Sequence, residues 1–294
     1  MRTNTITVVV VSDDHYFILL GALIKSIEQH LNAHTRVDLW VVEENVTSRN
    51  KKKLEASVDP AITTVHWKSV SEVIPPGTKL PADHSSFPLN VYSRLFIPDF
   101  VPQNVEKVLY LDADMVVLRD ITELWDTPIG DNYIGAVMDP RVQQYDNEWG
   151  GIFNYKELGF PGNTKYFNTG MMLLNIPKWR ADNVAAKVLQ CIHDNIKYVN
   201  YPDQYGLNII FANKWKEIDS RWNHFSTIDA ELPYLIHFVQ RKPIYKSYNY
   251  NAGYQELFYK YLKMSAWKNA KPIGESARYI KKIKNILAKV KLKF

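Results

Sequence analysis

The first residues with chemistry in them are Asp112 and Asp114, in the run Leu109-Tyr110-Leu111-Asp112-Ala113-Asp114. In an extended chain alternate side chains share a side, so both carboxylates leave the end of an apolar strand in one direction. Two like charges so placed are costly unless a cation or hydrogen-bond donors compensate them. Oxygen ligands suit a hard divalent cation, Mg²⁺ or Mn²⁺, of the kind usually shared with phosphate oxygens. A bare D-x-D is also an ordinary turn after a strand. What raises this one above that reading is the buried strand before it and a second polar cluster, Ser12, Asp13, Asp14 and His15, after another apolar run. The chain has no G-x-G-x-x-G after its first strand, no G-x-x-x-x-G-K-[ST] and no G-x-S-x-G. Dinucleotide-dehydrogenase, P-loop and serine-hydrolase readings thereby lose their usual support, and any bound phosphate falls to a metal and side chains.

These residues need elements to position them. Ile6 to Val11 is β-branched without alternation, as in a strand buried on both faces of a parallel sheet. Phe17, Leu20, Ile24, Ile27 and Leu31 recur at helical spacing. Strands are expected at Val37–Val42 and Ile62–Trp67, with a helix over Val46–Val58 between them. That β-α-β-α-β order predicts an α/β sheet with helices on its faces, whose ligands bind beyond the carboxyl ends of the strands. Ile74–Pro88 reads as a loop, and Leu89–Phe96 as a helix broken before Pro98. Further strands are expected at Lys107–Leu111, Tyr133–Val137, Gly170–Leu174 and Tyr234–Phe238, with helices over Ala181–Ile196 and after Pro202.

Hydrophobic residues make up 46% of the 294 and charged residues 23%, which excludes a disordered or fibrous chain. The single cysteine, Cys191, allows no internal disulfide and no cysteine zinc site. No apolar run is long enough to span a membrane and no signal-peptide pattern opens the chain, so an intracellular soluble protein is expected. The net charge of +5 belongs to the tail: taking the seven cations of residues 278–294 from the 36 Lys and Arg leaves 29 against 31 acidic residues, a net of −2. The body therefore offers no basic stripe for nucleic acid. Within the tail, Ile280, Ile283, Leu287, Val290 and Phe294 recur at helical spacing among those cations, a stripe expected to lie on an anionic membrane surface.

Taken in order, VVVVSDDHY, YSRL, KVLYLDADMVV, ELWD, IGAVMD, YFNTGMMLLN, YPDQYGLN and HF…KP make the chain resemble glycosyltransferase family 8 over about residues 6 to 245, and within it the bacterial lipopolysaccharide α-galactosyltransferases and glucosyltransferases. The resemblance implies a GT-A fold: a Rossmann-like, nucleotide-binding mixed sheet flanked by helices, over 1–250, followed by an extension at 251–277 and the basic tail at 278–294. It implies a retaining transferase that takes a UDP-sugar with Mn²⁺, or Mg²⁺. By position, Val11, Asp13 and His15 fall at the uridine and ribose site, His15 standing where the family often has asparagine. Arg94 approaches the donor sugar and phosphates; Asp112, Ala113 and Asp114 lie along the donor; Asp112, Asp114 and His237 form the metal set. Asp139, Asn168, Asp203 and Gln204 match the residues around the transferred sugar and the reacting centre, with Thr169 beside them where a close relative has alanine. Several of these have plainer roles open to them: Asp139 before Pro140 starts a turn, Asp203 after Pro202 starts a helix, and a lone His237 on an apolar strand is ordinarily structural. Family members often read H-x-x-G-x-x-K-P-W; here His237 to Lys242 is one residue shorter, with Gln240 and Arg241 and no glycine.

The expected activity is transfer of glucose or galactose to a hydroxyl of a surface glycan or lipid-linked acceptor, forming an α-linkage, on the inner face of the cytoplasmic membrane. A binding protein that has lost turnover and, with less support, a sugar nucleotidyltransferase are the competing readings. The latter lacks the glycine-rich basic loop expected after the first strand.

Overall fold

The computed structural model describes residues 4–83, 85–229 and 232–291. In chain order the first elements are β1 (Asn4–Asp13), α1 (Phe17–His30), β2 (Thr35–Glu44), α2 (Ser48–Glu55), β3 (Thr63–Ser69) and the single turn α3 (Val70–Val73). A 3₁₀ helix (Leu89–Phe96) then runs into α4 (Ile97–Phe100), followed by β4 (Lys107–Leu111), β5 (Met115–Val117), α5 (Thr122–Trp125), β6 (Ile134–Met138) and β7 (Phe167–Asn175). The remainder comprises α6 (Ile176–Ala181), α7 (Val184–Asp194), α8 (Pro202–Ile210), β8 (Trp215–Glu217), β9 (His224–Phe225), β10 (Leu235–His237), α9 (Ala252–Leu262) and α10 (Ser276–Lys291). The chain is of the mixed α/β class and divides into two compact units, each drawn from three stretches of sequence.

The first unit takes Met1–Val70, Val108–Pro128 and Asp219–Glu275. Its strands run β3-β2-β1-β4, all parallel, with Val8 opposite Leu39 on one side and Leu109 on the other. Ile6, Val8, Val9 and Val10 have no exposed surface, which is why this strand tolerates no polar alternation. A small second sheet, β5-β10-β9, sets Met115 opposite His237. The helix expected over Val46–Val58 is shorter: the Thr47 hydroxyl accepts from the Asn50 N–H at 3.3 Å and caps α2 at Ser48.

Gly21 on α1 lies against Trp267, and a Cβ there would sit 2.7 Å from the buried indole ring. Gly21→Ala is accordingly expected to destabilise the protein by about 1–3 kcal/mol through overpacking, read as a lowered melting temperature. An unchanged melt would show that Trp267 is free to move.

The second unit takes Ser71–Lys107, Ile129–Ile218 and Ser276–Phe294. Its strands run β7-β6-β8, with β6 antiparallel to β7 and parallel to β8. The β6–β7 register shifts between Ala136 and Val137: Ala136 pairs with Met172, and Val137 with Asn168. A bulge of this kind re-aims side chains beside it, and here those are Asn168 and Thr169. The sequence placed this strand only from Gly170, so the two site residues fell outside it. The helix expected over Ala181–Ile196 is α7, which starts at Val184 after the left-handed Asn183 (φ 47°), and the short α6 before it was not expected. Leu89–Phe96 is 3₁₀ rather than α, and Pro98 sits in the first turn of α4 instead of stopping a helix, a place where its missing N–H costs nothing. Among the described residues no helix is long and apolar enough to cross a membrane.

Candidate active site

The first unit gathers Asp112, Asp114 and His237, one ligand atom from each lying within 4.8 Å of the others. The two aspartates sit in the link between β4 and β5 rather than on a continuous strand. His237 is brought to them by the β5–β10 ladder and by the Phe238 N–H, which donates to the Asp114 carbonyl at 2.9 Å. His237 Nε2 stands 3.4 Å from Asp114 Oδ1 and 3.7 Å from Asp112 Oδ2. Its other ring nitrogen, Nδ1, meets Asn223 Oδ1 at 2.9 Å. With that amide oxygen accepting, Nδ1 carries a proton and Nε2 is the ring nitrogen turned towards the carboxylates. Asn223, at the end of a 3₁₀ turn, is fully buried and was not legible as a site residue, because nothing in the sequence around it marks a partner on β10.

Burial alone would raise the Asp114 pKa, but the Lys242 ammonium and His237 outweigh it and hold the carboxyl well below the usual range. Lys242 Nζ donates to Asp114 Oδ2, and to the Phe238 carbonyl at 2.8 Å. Asp114 thus faces a cation supplied by the chain itself. The shortened His237–Lys242 loop reaches this arrangement with Gln240 at φ 62°, the left-handed conformation a glycine would take without strain. Tyr250 donates its hydroxyl to Gln240 Oε1 at 2.7 Å.

Also in the first unit, Val11, Asp13 and His15 are all half-buried at the carboxyl end of β1. Asp13 Oδ1 accepts from the Tyr16 N–H at 3.0 Å, and His15 Nε2 lies 2.7 Å from the Tyr245 hydroxyl. Tyr16 packs edge-on against His15, with ring centroids 4.7 Å apart. Tyr16 and Tyr245 were not singled out from sequence. Asp14 turns the other way, accepting from Thr47 and Asn50 at the start of α2.

The second unit brings together Arg94, Asp139, Asn168, Thr169, Asp203 and Gln204, every one of them buried. Arg94 Nε is 3.3 Å from Asp203 Oδ2, and its NH1 donates to the Thr169 carbonyl at 3.0 Å. Asp139 fastens its own turn by accepting from the Arg141 and Val142 N–H groups, and its second oxygen accepts from Asn168 Nδ2 at 3.0 Å. Gln204 Oε1 accepts from the Thr169 N–H at 3.0 Å and from Asn168 Nδ2 at 3.2 Å, while its Nε2 donates to the Tyr166 hydroxyl at 3.2 Å. So many polar groups held in fixed orientations, several on one bulge and one helix start, make a preorganised polar site. Asp203 stands in the first turn of α8, where Pro202 and an acidic side chain also suit the helix start, so its helix-starting role and its place in the cluster coexist.

Two carboxylates and an imidazole present the mixed oxygen and nitrogen ligands that Mn²⁺ accepts, in too small a number to enclose it, so anionic oxygens of a ligand would complete the shell.

The glycosyl transferase family 8 model matches residues 7–252. General stress protein A of Bacillus subtilis is 26% identical over 292 residues, covering 91% of this chain and 96% of that protein. Lipopolysaccharide 1,3-galactosyltransferase of Salmonella typhimurium is 34% identical over 144 residues, 48% of this chain and 41% of the enzyme. The solved galactosyltransferase LgtC, in complex with donor and acceptor sugar analogs, superposes with a TM-score of 0.72 at 22% identity, over 93% of this chain and 99% of that one. That likeness shows the GT-A fold. The chain thus spans nearly all of the Bacillus protein and of LgtC, but under half of the Salmonella enzyme.

Proposed function

The chain belongs to glycosyltransferase family 8, and from that premise we propose that it moves a glucose or galactose from a UDP-sugar to a hydroxyl of a lipid-linked or surface glycan, with retention of configuration. The observation that carries this reading is the Asp112, Asp114 and His237 set, with His237 oriented by Asn223 and Lys242 beside it. Asp112, Asp114 and His237 would hold a divalent cation, Mn²⁺ or Mg²⁺, which supplies positive charge to the diphosphate of the departing UDP. Lys242, paired with Asp114, is assigned to the diphosphate, and Val11, Asp13, His15 and Ala113 to the nucleoside end of the donor. Arg94, Asp139, Asn168, Thr169 and Asp203 are assigned to the transferred sugar, and Gln204 to its reacting centre. The acceptor hydroxyl bonds to the anomeric carbon, the bond from that carbon to the UDP oxygen breaks, and the hydroxyl proton passes to the diphosphate. The cellular setting that fits is the inner face of the cytoplasmic membrane, where the basic tail would meet anionic lipid.

A panel of UDP-sugars with Mn²⁺, read as released UDP, tests the proposal through the slow donor hydrolysis that accompanies transfer. Release from UDP-glucose or UDP-galactose supports it. Binding without release from any sugar would replace it with a lectin-like or donor-binding role, and a requirement for UTP and a sugar phosphate with a nucleotidyltransferase.

Asn223→Ala isolates the oriented histidine. Losing an outer-shell partner of a metal-binding imidazole typically costs about 10–100-fold in metal affinity. The Mn²⁺ concentration for half-maximal UDP release is expected to rise by that factor, with the maximal rate largely recovered at saturating metal. A curve that overlays the wild type would leave His237 without a ligand's role.

A further inference from the structure

Helix α10 docks the wrong way round for a soluble protein. An amphipathic helix ordinarily packs its apolar stripe on the body and shows its charges to water. In α10 the residue that enters the body is Lys289: its side chain is 4% exposed, and Nζ lies 2.7 Å and 2.9 Å from the two oxygens of Asp83, which is itself 0% exposed. The same ammonium donates to the Ser85 hydroxyl at 3.0 Å and to the Ser85 carbonyl at 3.2 Å. Asn285, one turn earlier, donates from Nδ2 to the Ser86 carbonyl at 3.0 Å. These two residues grip the loop that precedes the 3₁₀ helix of Arg94, all within the second unit. Ile280, Ile283, Ile286, Leu287 and Val290, with Tyr279, are left exposed on the same helix. Phe294, the last residue of the stripe read from the sequence, lies outside the described residues.

Among the described residues nothing covers those apolar side chains, and two features name their occupant. From Arg278 to Phe294 there is no acidic residue among seven Lys and Arg, and one of these, Lys289, is already spent inward. The outward helix is therefore apolar along its stripe and positive around it, the pattern that enters the headgroup region of an anionic bilayer. We propose that α10 is a membrane-facing helix fastened to the protein by the Asp83–Lys289 ion pair, so that lipid and protein hold opposite faces of it at the same time. Adsorption to the bilayer then needs no undocking, and the second unit is presented to the membrane in one preset orientation. The proposal deepens the membrane-bound setting given above, but its vesicle-binding arm stands or falls independently of the transferase reading.

The test uses the full chain with mixed phosphatidylglycerol–phosphatidylcholine vesicles and with pure phosphatidylcholine vesicles. The wild type is expected to bind the anionic vesicles and not the neutral ones. Exchange of the amide protons over residues 85–91 is expected to be equally slow free and bound, because the latch stays closed. The double substitution Ile283→Glu and Leu287→Glu should weaken vesicle binding on the order of a hundredfold, with thermal stability and UDP release in solution unchanged. Lys289→Met should keep vesicle binding but speed exchange over residues 85–91, and the double variant with Asp83→Asn, which leaves no lone buried charge, checks that the change is not misfolding. Unaltered vesicle binding by the Glu double variant, or loss of protection over 85–91 when the wild type binds, would overturn the proposal. Absence of UDP release by every form would instead count against the transferase reading alone.

Discussion

Asp114→Ala is expected to lose turnover by roughly 10³-fold or more, the equivalent of the several kcal/mol that a cation's charge contributes to a departing phosphate. Asp114 is the more deeply buried of the two aspartates and is engaged by His237 at 3.4 Å and by Lys242. Its removal takes away a ligand and leaves Lys242 and His237 facing a gap. The fold should survive, since Lys242 is partly exposed and keeps its bond to the Phe238 carbonyl. A melt close to wild type together with rate loss, measured as released UDP, is the expected pair of results; excess EDTA should reproduce the rate loss in the wild-type protein. The Asp114 carboxyl is held below the usual range, so it stays ionised throughout the neutral region. Any pH dependence of the rate near neutrality therefore has another source. Full turnover by the variant would remove the cation from the account.

Next in size are the effects expected in the second unit. A double displacement needs a carboxylate nucleophile on the sugar, as in retaining glycosidases. Gln204 is an amide and a poor nucleophile, the residue after it is Tyr205, and the nearest carboxylate, Asp203, has its Oδ2 3.3 Å from Arg94 Nε and is buried. A carboxylate engaged by a guanidinium is better suited to holding sugar hydroxyls than to attacking carbon. Front-face attack is the route we favour, with the acceptor entering where UDP leaves and Gln204 stabilising positive charge on the sugar. Gln204 is set for that work by the Thr169 N–H and Asn168, which fix its amide. Gln204→Ala is expected to lose about 10²–10³-fold in rate, as for one preorganised electrostatic group. Asp203→Ala should lose more, because the sugar is mispositioned and because Arg94 is left buried without this carboxylate. The latter change should also lower stability by about 3–5 kcal/mol, so Asp203→Asn is the cleaner probe of rate. A glycosyl ester trapped on Asp203 with a slow donor, found by mass spectrometry, would reject the front-face route, and a β-linked product by NMR would reject retention.

The parallel half of the fold was legible because burial on both faces leaves no choice of residue: Ile6 to Val11 and Lys107 to Leu111 read as strands and are strands. The Asp112-Ala113-Asp114 link was legible for the related reason that charge at the end of such a strand needs an explanation. Less could be read where long-range contacts override local pattern. The β6–β7 bulge that carries Asn168 and Thr169 depends on a partner strand, and the start of α7 is set by the left-handed Asn183. Asn223 could not be found, since it closes a 3₁₀ turn (Ser220–Asn223) and its partner His237 lies on β10. The tail is the plainest case. Helical spacing identified the stripe of α10, but which face meets the body is decided by Asp83, 206 residues away from Lys289, and it decides for the polar face.

Calorimetric titration of UDP-galactose and UDP-glucose into the wild-type protein, with Mn²⁺ and then with excess EDTA, addresses the central claim most directly. The account predicts binding of at least one of the two with Mn²⁺, and its loss both in EDTA and in the Asp114→Ala protein. Equal binding with and without the metal would contradict it.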